Sequence, residues 1–172
     1  ETNSSLYVRG GSPDQNLIIL DDVPLYYIDH LGGFVSTFNS DAINSVRLTK
    51  GGFPARFGGR LSSVMDIRMK EGNANEFKGN ATVGMIVSKV FVEGSIKPDT
   101  TSYMISARRF MYDLITRPLS RILFDGISIG YYFYDVNTKV NHRLSSKDHL
   151  YFSFYAGNDK FGWSLKDKSP DN

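Results

Sequence analysis

Residues 50–67 read KGGFPARFGGRLSSVMDI and join two segments of strand-like composition through a turn. The turn contains Gly51, Gly52, Gly58 and Gly59, and glycine adopts backbone conformations that other residues avoid. Strand-like residues flank it at 45–50 and again at 63–70. The stretch therefore predicts a β-rich unit in which the shape of the backbone matters more than any one side chain.

The first 72 residues have the pattern of a small α+β domain. Short strands are predicted at 6–9, 16–21, 45–50 and 63–70, separated by turn clusters such as residues 10–14. Ser40 stands where it can cap a single helical turn ahead of the third strand. Because the segment at 70–75 is polar and contains glycine, we place a boundary there, between a domain at 1–72 and a second at 73–172.

The second domain has longer strands in which apolar and polar residues alternate. Strands are predicted at 78–87, 90–96, 102–110, 129–142 and from 150 onward, with tight connections near 88–89, at 97–100 and at 144–148. These lengths suit a tilted strand crossing a membrane, which needs about 9 to 11 residues. No apolar run approaches the roughly 20 residues of a membrane helix, so a membrane protein of this sequence would cross with strands.

Residues 129–142 alternate most clearly. One face carries Tyr132, Tyr134, Val136 and Val140, and the other carries Asp135, Asn137, Lys139 and Asn141. Because charged side chains are costly against lipid, we expect the second face to be the wet one. The segment at 111–124 is ambiguous, since its apolar residues have near-helical spacing broken by Pro118, which favours a long loop with short helices.

Composition limits the possible functions. The chain has 20 basic and 18 acidic residues, a balance that argues against nucleic acid as a partner. It contains no cysteine, so disulfides and thiolate metal sites are ruled out for these residues. Twelve phenylalanines and ten tyrosines are interleaved with polar residues, which is typical of strands with two different faces.

We predict no catalytic, metal or cofactor site. His30, His142 and His149 lack metal-ligand spacing and are expected to be solvated or hydrogen-bonded. The adjacent carboxylates Asp21 and Asp22 are explained by a turn at the end of a strand, without a bound cation. The glycine-rich segments lack the Gly-Lys-Ser/Thr ending and following helix of a phosphate loop, and no Ser-His-Asp arrangement can be proposed.

Three arginines are the candidate site residues. Arg9, Arg56 and Arg60 lie beside glycine turns, where a guanidinium can bind a carboxylate through two charge-assisted hydrogen bonds. The alternative is that all three are solvated loop charges. For Arg56 and Arg60 both interpretations stay open.

The order and spacing of several motifs resemble the plug domain of TonB-dependent outer-membrane receptors. The resemblance covers residues 6–70 and rests on VRG at 8–10, LDDVP at 20–24, INSVRLTKG at 43–51, ARFG at 55–58 and VMDI at 64–67. Residues 76–164 resemble the first barrel strands. SARR at 106–109 and YFSFYAGND at 151–159 are similar to the SusC-like branch of the family, which imports carbohydrates and other nutrients.

The resemblance implies a β-rich fold: a small α+β plug domain followed by the first antiparallel strands of a transmembrane β-barrel. Because the family's barrels have roughly 22 strands, the chain is expected to be an incomplete fragment of one. Arg9 matches an arginine that helps to lock the plug to barrel carboxylates, which would lie beyond residue 172. Asp22 departs from the glycine usual in the family's Asp-Gly-x-Pro turn, so the geometry of that turn is an open question.

The resemblance further implies a TonB-dependent transporter of the bacterial outer membrane, with no enzymatic activity and no cofactor. Its expected partners are outer-membrane lipid, the TonB complex of the inner membrane and a nutrient ligand: a glycan, an iron chelate, a peptide or a cobalamin-like molecule. One alternative is a barrel that docks a surface lipoprotein without transport. Another is a soluble β-sandwich enzyme or lectin, which the aromatic outward face of the later strands disfavours.

Overall fold

The computed structural model describes residues 7–26, 29–30, 35–36, 38–124 and 126–165. Within these ranges the first domain contains β1 (Asn16–Leu20), β2 (Val23–Leu25), β3 (Asp29–His30), β4 (Val35–Ser36), β5 (Ile43–Lys50) and β6 (Ser63–Met69). Four of these strands form one sheet in the order β2-β1-β6-β5, in which β1 and β6 run parallel and the other pairs are antiparallel. Strands β3 and β4 pair with each other.

The hairpin between β1 and β2 answers the question raised by Asp22. Leu20 pairs with Val23, so Asp21 and Asp22 form a two-residue loop. Both have positive φ, 45° and 68°, the sign pattern of the type I′ turn that suits such hairpins. Aspartate tolerates this conformation better than most residues, and the turn is therefore kept without glycine.

Two details of the first domain differ from the sequence prediction. The described part of the predicted strand at 6–9 is a tight turn, in which Val8 bridges Gly11 and Arg9 has φ of 51°. Overlapping backbone turns replace the helical turn predicted after Ser40, and the Asn39 side chain accepts the Asp41 NH at 3.2 Å. A side-chain acceptor one residue earlier satisfies the backbone that Ser40 was expected to cap.

The second domain is an antiparallel meander of five strands. They are β7 (Lys78–Val83), β8 (Val87–Lys97), β9 (Thr101–Phe110), β10 (Ile127–Arg143) and β11 (His149–Leu165), and a helix α1 (Asp113–Leu123) lies between β9 and β10. The sheet order is β11-β10-β9-β8-β7, so every strand pairs with its neighbours in sequence. The predicted turns at 97–100 and 144–148 are confirmed, and the sheet is a partial barrel wall.

The first hairpin of this meander turns earlier than predicted. Strand β7 ends at Val83, and the Gly84 NH donates to the Val87 carbonyl at 3.1 Å, so the turn lies at 84–86 and not near 88–89. Met85 and Ile86 occupy this turn and are exposed. Because these apolar residues continue the alternating pattern of β7, the pattern does not show where the hairpin turns.

Residues 113–123 form one continuous helix, where short helices in a long loop were expected. Pro118 lies inside it and removes one backbone hydrogen bond. Asp113 and Ser120 are buried on either side of the proline, so tertiary contacts hold both halves of the helix in place. In the described part of the chain, no helix is long and apolar enough to cross a membrane.

The apolar core joins the two domains. Ile18, Leu20, Ala42, Ile67 and Met69 of the first domain cluster with Phe91 and Met104 of the second. Met104 is fully buried and Phe91 is 5% exposed. The inner face of the barrel wall therefore packs directly on the first domain.

The segment between the domains depends on one glycine. Strand β6 ends at Met69 and β7 begins at Lys78, so the predicted boundary at residue 72 lies in the irregular segment between them. Gly72 has φ of 82°, and a Cβ there would overlap the carbonyl group of Tyr103 in β9. Only glycine fits both conditions.

We expect Gly72→Ala to lower the free energy of unfolding by about 2 kcal/mol or more, because it adds backbone strain to a steric overlap. The measurement is made by gel electrophoresis of the purified full-length chain after heating. It gives the temperature at which the faster mobility of the folded barrel changes to the slower mobility of the unfolded chain. Gly58→Ala is the matched control, since Gly58 has open space around its missing Cβ and no positive φ. Equal behaviour of the two variants would contradict the prediction.

Candidate functional site at the domain interface

The polar face of β10 lies against the first domain. Asp135, Asn137 and Lys139 are 1%, 5% and 4% exposed, so the face expected to be wet is almost completely covered. The sequence pattern separated the two faces correctly, but alternation does not distinguish a face covered by water from one covered by another polar domain. This buried polar face is the centre of the candidate site.

Asp21 and Lys139 form a buried ion pair across the interface. The Lys139 Nζ lies 3.0 Å from the Asp21 Oδ1, and the two side chains are 5% and 1% exposed. The same carboxylate accepts the Met69 NH at 3.1 Å and the Ser153 hydroxyl at 2.9 Å. Because a buried charge is costly unless its bonding groups are satisfied, these additional contacts determine whether the pair is tolerated.

Asp22, beside this pair, also contacts both domains. Arg68 in β6 donates two hydrogen bonds to the Asp22 carboxylate, at 2.5 and 2.6 Å, and the Tyr151 hydroxyl of β11 donates a third at 2.9 Å. The hydrogen bond from Arg68 lowers the pKa of Asp22, burial opposes the shift, and the hydrogen bond from Tyr151 supports it. Since Asp22 is largely exposed, this contact orients the turn more than it stabilises the fold.

A second cluster is centred on His30 of β3. Its Nε2 lies 2.7 Å from Asp135 Oδ1, and its Nδ1 lies 2.6 Å from Asp159 Oδ1. The ring stacks on Phe133, with centroids 3.9 Å apart and planes 9° from parallel. Both ring nitrogens therefore face carboxylate oxygens, and only the protonated imidazolium can donate to both.

Arg108 of β9 supports the same cluster. It binds Asp135 through Nε, at 3.0 Å, and through Nη2. Its Nη2 also donates to the Ser36 carbonyl in β4 at 2.9 Å, so one guanidinium links β4, β9 and β10. This geometry uses the planar fork of arginine, which lysine does not have.

The charges around His30 determine its protonation. Burial lowers the pKa of His30, but the hydrogen bond and charge of Asp135 and the charge of Asp159 outweigh it, so the pKa is raised above its ordinary value. A carboxylate on either side favours the charged form of the ring. The two carboxylates thus favour the imidazolium form of His30 at the contact between the first domain and the barrel wall.

Further polar contacts extend along the interface. Lys89 of β8 lies 2.6 Å from Asp41, and Asn39 donates to Ser106 of β9 at 2.5 Å. Ser102 and Asn141 both donate to the Glu71 carbonyl, at 2.7 and 2.6 Å. The interface therefore has a polar part formed by these contacts and an apolar part at Phe91 and Met104.

The three predicted arginines lie elsewhere. Arg9 lies against Gly51, Arg56 lies over the Phe57 ring at 4.5 Å, and Arg60 donates to the Gly59 carbonyl at 3.0 Å. None of them pairs with a carboxylate of the described residues. No cluster of three or more His, Cys, Asp and Glu side chains in the described ranges could hold a metal ion.

The sequence does not predict that these residues join the domains. It predicts a wet face for Asp135 and Lys139, which is wrong, whereas the turn at Asp21 and the hydrogen-bonded state of His30 are confirmed without their partners having been foreseen. The available signal was the pair of opposite charges four residues apart on the polar face of β10. Such charges in a strand of a barrel require partners, which here come from the first domain and, for Asp135, also from Arg108 of β9.

The fold and this interface define a class: a sector of β-barrel whose inner face is closed by a plug. Residues 1–64 match the family described as TonB-dependent Receptor Plug Domain. The chain is also similar in structure to the siderophore receptor PirA from Acinetobacter baumannii, with a TM-score of 0.63 and 16% identity over 93% of this chain. No curated protein matches the sequence.

The family match concerns the first 64 residues, and the structural likeness shows that the chain has the fold of a plug domain followed by part of a barrel. The chain spans 27% of the length of the siderophore receptor. At 16% identity the likeness concerns the fold and not the ligand.

We expect Asp21→Asn to destabilise the seating of the plug by about 3–5 kcal/mol, because it leaves the Lys139 ammonium buried without its counter-charge. Asparagine tolerates the positive φ of this position, so the turn itself is preserved. Urea unfolding of the full-length chain in detergent measures the effect. The exposed Asp14→Asn is the control, and combining Asp21→Asn with Lys139→Met should recover part of the loss.

The His30 cluster predicts a pH dependence. Because the folded-state pKa of His30 is raised, its stabilising contribution is complete below about pH 6.5 and is lost as the pH rises through the raised pKa. The urea midpoint of the full-length chain should fall across that range. In His30→Gln this decrease should disappear, and an unchanged pH profile in the variant would refute the assignment.

Proposed function

We propose that this chain is part of a TonB-dependent transporter of the bacterial outer membrane, which imports a nutrient when the TonB complex displaces the plug. The observation that carries the proposal is the set of ion pairs and hydrogen bonds between plug and barrel, which lie beside the apolar cluster at Phe91 and Met104. Polar groups separated from each other can be hydrated, whereas apolar surfaces pulled apart cannot. A plug held in this way can leave its seat and return.

The ligand belongs to the nutrients that such receptors take up. The SARR and YFSFYAGND motifs favour the SusC-like branch, with a glycan or peptide as ligand and a surface lipoprotein as partner. PirA is a siderophore receptor, and by analogy an iron chelate is the other candidate. A cobalamin-like molecule completes the set, and growth on each nutrient as the limiting source would separate these classes.

Arg9, Arg56 and Arg60 keep their proposed role as contacts between the plug and the barrel. All three lie in or beside glycine-rich turns of the plug, and the charge of Arg56 is felt at Asp22. The resemblance implies that the partner of Arg9 is among the barrel carboxylates beyond residue 172. Charge reversal of one arginine, rescued by reversal of a barrel carboxylate, would identify that partner.

Transport by plug displacement is tested by a covalent tether. The Asn39 and Ser106 side chains are in hydrogen-bond contact across the interface, and the 172 residues contain no cysteine. We expect the full-length double variant Asn39→Cys with Ser106→Cys, once oxidised, to bind its nutrient but lose uptake. Reduction of the disulfide should restore uptake, and thiol titration confirms that the bond has formed.

The single variant Ser106→Cys is the matched control and should transport under both conditions. Uptake that continues with the disulfide closed would contradict displacement of this part of the plug. Nutrient or lipoprotein binding without TonB-dependent uptake in any variant would favour the alternative function, a docking protein of the outer membrane.

A further inference from the structure

Helix α1 has its polar and apolar faces arranged opposite to those of an ordinary surface helix. Such a helix normally buries its apolar side against the protein and exposes its polar side. Here the buried residues of the helix are Asp113 and Ser120. The side of α1 that packs on the barrel wall is therefore the polar one.

Specific contacts fix this orientation. The Ser120 hydroxyl accepts the Ile129 NH of β10 at 2.8 Å, where β10 continues beyond its pairing with β9. The Arg117 side chain lies directly over Gly130, where a Cβ would overlap it. The helix thus covers β10 with hydrogen-bonding and charged groups.

The opposite side of the helix is apolar and uncovered. Ile122 is 79% exposed, and the same side carries other large exposed residues: Leu114, Ile115, Leu119 and Leu123. These residues lie at spacings of one, three and four, which places them on a single side of an α-helix. An apolar surface of this kind needs a partner that is itself apolar.

The position of the helix indicates which partner it meets. Gly130 has the same strand parity as Tyr132, Tyr134 and Val136, and opposite parity to Asp135, which faces the plug. Helix α1 therefore packs on the outer side of the barrel wall, and its apolar side continues the outward surface of the strands. In a barrel that crosses a membrane, lipid covers this surface.

The charges of the helix agree with that position. Arg117 and Arg121 lie one turn apart and, with Ser128 and Ser164, line an open cleft of about 240 Å³ between α1 and the end of the sheet. Two guanidinium groups beside two hydroxyl groups suit a phosphate group. Basic residues next to an apolar helix face are typical of helices that lie in a membrane interface.

We propose that α1 lies in the interfacial layer of the membrane, with its apolar side among acyl chains and with Arg117 and Arg121 bound to the phosphate headgroups of an anionic lipid. The proposal rests on the proposed location in the outer membrane and adds a lipid site to it. The connection between β9 and β10 is then a membrane anchor on the outside of the barrel.

Spin labels attached to single introduced cysteines test the proposal. The full-length chain, with any other cysteine replaced, is labelled at Ile122→Cys and reconstituted in vesicles of equimolar phosphatidylcholine and phosphatidylglycerol. Collisions with oxygen, which concentrates in lipid, are compared with collisions with a water-soluble nickel chelate. We expect oxygen to dominate at Ile122, as it should at Phe154→Cys on the outward face of β11, and nickel to dominate at Lys147→Cys in the 144–148 turn.

Each result has one meaning. Nickel dominating at Ile122 while oxygen dominates at Phe154 would overturn the anchor and leave the membrane location intact. Low access of both reagents at Ile122 would also overturn it, because protein would then cover the helix. Nickel dominating at Phe154 would overturn the membrane location itself.

The arginines are tested in the same system. Arg117→Gln with Arg121→Gln should shift the Ile122 label toward water in the vesicles that contain phosphatidylglycerol. In vesicles of phosphatidylcholine alone the two proteins should differ less, and added inorganic phosphate should not reproduce the lipid effect. An identical Ile122 signal with and without the arginines in both vesicles would refute the lipid headgroup site.

Discussion

The buried ion pair between Asp21 and Lys139 determines how the plug sits in the barrel. Lys139 lies in β10, one of the two longest strands of the wall. Because the residue is only 4% exposed, water does not hydrate its ammonium group. The partner must be presented at one place, and the β1–β2 hairpin does this by adopting positive φ at both loop residues. The ion pair thus requires both the backbone conformation of this hairpin and the register of β10 that places Lys139 next to it.

The His30 cluster extends this arrangement to a second place. Asp135 accepts from His30, Arg108 and Tyr155, so one buried carboxylate connects the plug with three barrel strands. Gly157 pairs with Asp135 across β10 and β11, and its missing side chain leaves the space that the Tyr155 hydroxyl fills. Two charged centres hold the plug where a continuous apolar interface would hold it less selectively.

Much of the architecture follows from patterns visible in the sequence. Alternation in β10 predicted the strand and both of its faces, and the proline and aspartate at 98–99 predicted a turn. The Met85 turn did not follow, because its exposed apolar residues continue the alternating pattern, and the Pro118 helix did not follow, because the burial of Asp113 and Ser120 holds its two halves in place. The site was the least predictable part: Asp21 and Lys139 are 118 residues apart, and no local pattern states that they meet. Their ion pair becomes visible only in the folded structure, where the β1–β2 hairpin packs on the polar face of β10.

The length of the last two strands has a consequence for the height of the barrel wall. Strands β10 and β11 each contain 17 residues, and at about 3.3 Å per residue each extends for about 56 Å. With a tilt of about 40°, this gives a height of about 43 Å, compared with an apolar band about 25 Å tall. This height is close to that of a whole bilayer with its headgroup layers, about 40–45 Å. In a barrel that crosses a membrane, the ends of β10 and β11 would therefore lie among the headgroups, and the beginning of β10 is where α1 packs.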